Sequence, residues 1–151
     1  MPKLLIALCS ALCLATFLVS ISPEAQARDE KKMFPLDAAL SSADGQNIAD
    51  GDIQFFFGDD NHPSVARVIG NWQSNRKSNG VGRSDATACN RAFSSALLSL
   101  KDRARREGGD AVVNIVSFYK RDRVSSETEY ECGAGNIMVG VTLKGDVVEL
   151  E

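Results

Sequence analysis

The 151 residues carry 20 acidic against 17 basic side chains, a formal net charge of −3, with 44% hydrophobic and 25% charged residues. That hydrophobic fraction supports a packed core and excludes a disordered, collagenous or low-complexity chain. The mildly acidic balance is the wrong sign for a nucleic-acid binder, whose affinity rests largely on a basic face.

Lys3 opens a short positive start, Leu4 to Ile21 is almost wholly apolar, and Ala25-Gln26-Ala27 is a small-x-small cleavage site ahead of the charged run Arg28-Asp29-Glu30-Lys31-Lys32. These are the three parts of a secretory signal peptide. The apolar run approaches membrane-spanning length, but Pro23, Glu24 and the cleavage site favour removal over a retained anchor. Residues 1–27 are therefore expected to leave as a signal peptide. Residues 28–151 remain as a single periplasmic domain with room for one core and no stable membrane anchor. Cys9 and Cys13 follow Leu8 and Leu12, where a lipid-attachment cysteine would follow a small residue, so a lipoprotein is not expected.

Cys89 and Cys132 survive maturation. In an oxidising compartment such a pair is expected to close. The loop it closes would make the bond worth about 4 kcal/mol by chain entropy. Two reactive free thiols are the alternative.

In chain order, Arg28 to Lys32 reads as a solvated, mobile start. Asp37 to Leu40 reads as a short helix fading at Ser41, Ser42 and Asp44-Gly45, which are turn formers. Ile53 to Phe57 is aromatic-rich and bounded by Asp/Gly turns, a strand. Residues 65–74 read as a second strand antiparallel to it, with Val65, Arg67, Ile69 and Asn71 on one face and Ala66, Val68, Gly70 and Trp72 on the other. Ser74 to Gly82 reads as an exposed polar loop. Ser84 is a helix N-cap with Asp85 at the positive helix end. Ala86, Cys89, Phe93, Ala96, Leu97, Leu100 and Ala104 then form one apolar stripe, with Asn90, Ser94, Lys101 and Arg105 facing outward. Gly108-Gly109 stops the helix. Ala111 to Lys120 is a third strand, Arg121 to Thr128 a hairpin turn, and Glu129 to Cys132 the start of a fourth strand interrupted at Gly133-Ala134-Gly135 and resumed over Ile137 to Leu143. Lys144-Gly145-Asp146 turns tightly into a last short strand, Val147 to Leu150. The expected fold is α+β: a two-layer sandwich with one long helix, about 84–107, on a four- to five-stranded, mainly antiparallel sheet.

Candidate chemistry is sparse. His62 with Asp59 and Asp60 forms a polar turn that could hold a ligand or an oxygen-seeking ion, but zinc lacks ligands there and the spacing fits no calcium loop. Gly80-x-Gly82 places free N–H groups near a helix start, an anion-binding arrangement in principle. Glu127, Glu129 and Glu131 alternate along a strand and could do acid–base work, although a solvated face is the simpler reading. Lys101, Arg103, Arg105 and Arg106 make a basic patch at the negative helix end. The sequence has no G-x-x-x-x-G-K-[ST] phosphate loop and no G-x-S-x-G elbow.

The segments FFFGDDNHP, SDATACNRAFSSAL, ALLSLKDRARREGGDAVVNIVSFY and TEYECGAGNIMVGVTLKGDVVEL, behind the Ala-Gln-Ala leader, resemble a family of small exported bacterial proteins over essentially the whole chain. Members often carry the label "excinuclease ATPase subunit". An exported domain without a phosphate loop cannot be that DNA-repair ATPase, and the label is taken as a propagated error. In arrangement, the helix ending in Gly-Gly-x-Ala-Val-Val and the cysteine beside a glycine pair are similar to the Rcs envelope-stress lipoprotein sensor and the YbjQ-like domains. That likeness implies a compact α+β fold. The sensor is tied by two disulfides and acts by protein contacts. This chain has one possible bridge, no lipid cysteine and no long disordered linker, so the sensor role does not carry over.

The expected function is a non-enzymatic module that binds a protein or envelope component, with no cofactor and no nucleic-acid partner. The alternative is a small-ligand or metal-ion binder using the Asp59–His62 turn and the 74–82 loop. A hydrolase is a third possibility. Mass spectrometry of the exported protein checks the first premise: the chain should begin at Arg28 and carry no alkylatable thiol until reduced.

Overall fold

In a computed structural model, residues 28–49 and 51–151 are described; the expected signal peptide lies outside them. Six strands form one sheet: β1 (Asp29–Pro35), β2 (Gln54–Phe57), β3 (Val65–Asn79), β4 (Ala111–Ser117), β5 (Glu129–Gly135) and β6 (Met138–Leu150). The helices are α1 (Leu36–Leu40), α2 (Ala43–Ala49) and the long α3 (Asp85–Glu107).

The helix α3 forms where the sequence places it. The Ser84 hydroxyl accepts the Thr87 N–H at 3.2 Å, and Gly108 closes the last turn in the left-handed region at φ 76°. Ala88, Cys89, Ala92, Phe93, Ala96, Leu97, Leu100 and Ala104 are buried along it. An aromatic chain runs through this core: Phe57 to Phe93 at 6.0 Å, Phe93 to Tyr130 at 4.5 Å and Tyr130 to Phe34 at 5.9 Å between ring centroids. Such pairs add about 0.5–1.5 kcal/mol each beyond the area they bury. Cys89 and Cys132 are disulfide-bonded and fully buried, with Cα atoms 6.0 Å apart, so the bond ties α3 to β5 inside the core.

The sheet is not a flat antiparallel layer but a curled, mixed one. Its order is β1-β5-β6-β4-β2, with β3 along the opposite edge of β6. The strands β5 and β4 therefore share one edge of β6: β5 pairs at Val139 and Gly140, β4 from Leu143 to Val148. Between them the sheet forks. The strand β2 lies parallel to β4, and the other pairings are antiparallel.

Several expectations are corrected by these pairings. The first strand among the described residues is β1, in place of the expected mobile start; its alternating charges find partners on both sides, Lys32 on Asp85 at 2.8 Å and Lys31 on Asp122. Asp44-Gly45 does not end the early helix but begins α2, which Ser42 caps by accepting the Gly45 N–H at 3.1 Å. Gly45 is required by close approach, since a Cβ there would collide with the Ala39 carbonyl and the Leu40 backbone. The strand β3 pairs with β6 rather than β2 and extends through Asn79, so most of the expected 74–82 loop is strand. Register shifts between Val65 and Arg67 and between Val68 and Gly70 break its two-residue alternation, and Ile69 and Trp72 consequently pack on the same core. In β4, Asn114 takes φ 53° and forms a bulge, which places Val112 and Ile115 together in the main core. The segment 121–128 is no hairpin, because β4 and β5 are not paired. Finally, β5 runs unbroken through Gly133 to Gly135, and β6 passes straight through Lys144-Gly145-Asp146. Gly145 there lies against Val112 and Ile115, where a Cβ would come within 2.8 Å of Val112.

On α3 itself, Ala86 is exposed, while Ser94 and Lys101, expected outward, are buried. The buried band is wide because α2 and β3 also pack on α3, in addition to β5 and β6.

Replacing both cysteines with alanine should lower stability by about 2–4 kcal/mol, read as an earlier urea midpoint with the secondary structure retained. An unchanged midpoint would mean that the bond constrains nothing that the core does not already hold.

Candidate functional site

A cleft of about 470 Å³ opens where α1, the end of β2 and the segment before β5 meet. Its apolar floor is Leu36, Leu40, Phe55 and Phe57, and its rim carries Asp37, Asp60, Glu127 and Thr128. The backbone builds it. The Leu36 N–H donates to the Thr128 carbonyl at 2.8 Å, fixing the start of α1 against the strand that follows. Gly58, at φ 60°, lies so close to Ser126 that a Cβ would come within 2.9 Å of its carbonyl carbon. The turn is closed by the Asp60 N–H donating to Phe57 O at 3.0 Å. Across from it, the Ser126 hydroxyl accepts the N–H groups of Thr128 and Glu129 at 3.2 and 3.0 Å. The result places the Asp60 and Glu127 carboxylates on the rim of one aromatic-floored cleft.

Of the ligand or metal turn read from the sequence, Asp60 reaches this cleft. Asp59 is exposed. His62 sits edge-on to Phe56 at 5.6 Å, with Nδ1 2.8 Å from the Pro63 carbonyl. The described residues contain no grouping of three His, Cys, Asp or Glu able to hold a metal ion. The Gly80-x-Gly82 loop leads into the helix start, but Asp85 already supplies the negative charge there. Arg28, reinforced by Lys32, holds the Asp85 carboxyl down at about 2.

The basic patch at the end of α3 is largely consumed internally. Lys101, 2% exposed, donates to the Ile48 carbonyl at 2.7 Å. Arg105 grips the Asp52 carboxylate with two nitrogens, and Arg103 pairs with Glu107 while covering Trp72.

A second polar cluster lies on the sheet face away from α3, over the fork. The Tyr119 ring rests on Gly133 and Gly140, which are paired across β5 and β6; a Cβ on Gly133 would fall inside the ring. The Tyr119 hydroxyl donates to Asp29 at 3.1 Å, and Lys120 also pairs with Asp29. Burial, then the bond to Asp29, push the Tyr119 phenol up. Glu131 is the surprise of the cluster. The sequence places it on a solvated strand face, yet it is only 5% exposed. Its N–H donates to the Ser117 hydroxyl at 2.8 Å, one carboxylate oxygen lies 3.9 Å from Lys31, and the other has no hydrogen-bond partner. Burial raises its pKa, with Lys31 opposing the rise and Asp122 adding to it. No sequence signal could find this, because the burial comes from residues 117–124 folding across the fork.

Comparison with protein-family models, curated proteins and solved structures yields no match.

A carboxyl whose folded pKa is raised contributes stability below its unfolded value and loses it as pH rises through the folded one. Glu131→Gln keeps the protonated shape without the buried charge. It should leave the urea midpoint unchanged near about pH 4 and raise it near about pH 8. A lower midpoint at the higher pH would show that the Lys31 pairing outweighs burial.

Proposed function

We propose that the chain is a non-enzymatic periplasmic binding module. Its cleft takes a cationic group with an apolar body, presented by a protein or another envelope component. The cleft carries this reading: four apolar side chains form the floor and three carboxylates stand at the rim. Binding sites are typically concave and mostly apolar, with a few placed polar groups. A buried cross-link and a core anchored on both sides of the cleft support it too, since a rigid site loses less entropy on binding. The disulfide, with the export signal expected from the sequence, fits an oxidising compartment. Under this reading the excinuclease label carried by similar proteins says nothing about the activity.

The second reading is a small-ligand or metal-ion binder. It draws on Asp60 lying in the cleft and on a volume within the usual range for small-molecule pockets. Asp60→Asn combined with Glu127→Gln separates the readings. Photo-crosslinking from Leu40 in the periplasm should trap a protein or envelope component with the natural carboxylates and lose it in the double variant. A thermal upshift with benzyltrimethylammonium or calcium ion, lost in the double variant and without any crosslinked species, would favour the second reading instead.

A further inference from the structure

We propose that the free edge of β3, with the groove between it and α3, is a docking track for an extended acidic peptide, which joins the sheet as an added strand. This surface is separate from the carboxylate-rimmed cleft and does not depend on it.

The strand β3 is 15 residues long and, among the described residues, pairs along one side only, with β6. Its first third is broken by register shifts, but Asn71 to Asn79 pairs without interruption, so that part presents a row of backbone donors and acceptors on its other side, of which the Asn75 and Asn79 carbonyls already accept from the Arg76 and Arg83 side chains. An edge of this kind is a template for a further strand. The other free edges are poorer templates. The strand β2 has four residues, and β1 ends in Pro35 with its charges already paired to Asp85, Asp122, Tyr119 and Lys120.

The groove alongside runs through two adjoining clefts of about 490 and 340 Å³ that share Ser95 and Leu98. Residues 91, 95, 98, 102 and 106 form one stripe of α3 along it, at the three- and four-residue spacing of a single helix face. Arg76 crosses from β3 to the Ser99 hydroxyl at 2.8 Å. The floor holds a second indication of a ligand. Ser94 lines the groove at 2% exposure with its hydroxyl unpartnered. A buried hydroxyl without a partner is costly, and an acceptor from a bound chain would satisfy it.

Charge selects the occupant. The strand β3 carries Arg67, Arg76 and Lys77 and no acidic residue. The groove's own carboxylates, Asp44 and Asp102, stand against Arg91 at 3.8 Å and Arg105 at 3.7 Å, while Lys77 and Arg106 have no carboxylate partner among the described residues, which leaves the groove a net excess of cations. A second copy of the chain is disfavoured, because antiparallel self-pairing of β3 would set these cations against one another. An acidic extended segment instead gains backbone hydrogen bonds along the edge and charge pairing from the flanking arginines and lysine.

The test uses the mature chain, isotope-labelled, titrated with a decapeptide of alternating threonine and glutamate and with its threonine–lysine counterpart. The acidic peptide should bind saturably, shift and slow the exchange of amides within 71–79, and weaken as salt rises. The lysine peptide should not bind. Arg76→Glu with Lys77→Glu should weaken the acidic peptide about tenfold or more, and Arg106→Glu, which leaves β3 untouched, provides the same reading should the first variant unfold. The proposal fails if the acidic peptide does not bind, or if it binds the Arg106 variant equally well. It also fails if the shifts fall around Asp60 and Glu127 instead, or if light scattering shows a dimer that excludes the peptide.

Discussion

The constraint on which the rest of this structure depends is that β6 gives one edge to two different strands. A strand offers each backbone group once, so β5 and β4 must divide its length and then part. The fork left between them has to be filled. Residues 117–124 do this, with Ser117 and Val124 exchanging backbone hydrogen bonds and Phe118 donating to the Thr142 carbonyl. The burial of Glu131, the glycine platform under Tyr119 and the bulge at Asn114 all lie around that division. So does the bracing on the outer face, where Asp146 of β6 accepts hydrogen bonds from Asn71 of β3 and Asn114 of β4 at 2.7 and 2.9 Å.

The other face of the sheet is organised by α3. Its small residues, Ala88, Ala92, Ala96 and Ala104, let the helix approach the sheet closely, while Phe93, Leu97 and Leu100 fill the space between. The disulfide adds a covalent tie where α3 meets β5, and Arg28 and Lys32 add an ionic one at its N-terminus through Asp85. The two proposed binding surfaces both sit at the margin of this core. One is held by the α1 start and the Ser126 turn, the other by the unshared side of β3. Each is thus an open feature on a stiff support, which is where recognition is cheapest in conformational entropy.

Much of the architecture is legible residue by residue. The capped and glycine-stopped α3, the strand around Phe55 to Phe57, the strand after Gly109 and the cysteine pair all follow from local chemistry. The candidate cleft is legible in part: Asp60 belongs to the turn singled out by composition, but its neighbours Asp37 and Glu127 come from distant segments. Three of the misreadings share one cause. Asp44-Gly45, Ser74 to Asn79 and Lys144-Gly145-Asp146 are turn-like in composition, yet each is helix or strand. In each, a neighbouring segment supplies what the local propensity lacks. The α1 backbone crowds Gly45, β6 pairs with the polar end of β3, and Val112 and Ile115 press on Gly145.

The sequence by itself determined an α+β chain with one long amphipathic helix and an expected export signal and disulfide, because periodicity, capping and the leader pattern are written in neighbouring residues. Tertiary structure alone decided the parallel placement of β2 beside β4, the sharing of β6, the burial of Glu131 and Lys101, and the meeting of Asp37, Asp60 and Glu127 at one cleft. The physical reason is that strand partners and buried charges are selected by contacts between segments far apart in the chain. Such contacts leave no period in the local pattern, and their energies become favourable only once the sheet has closed around them.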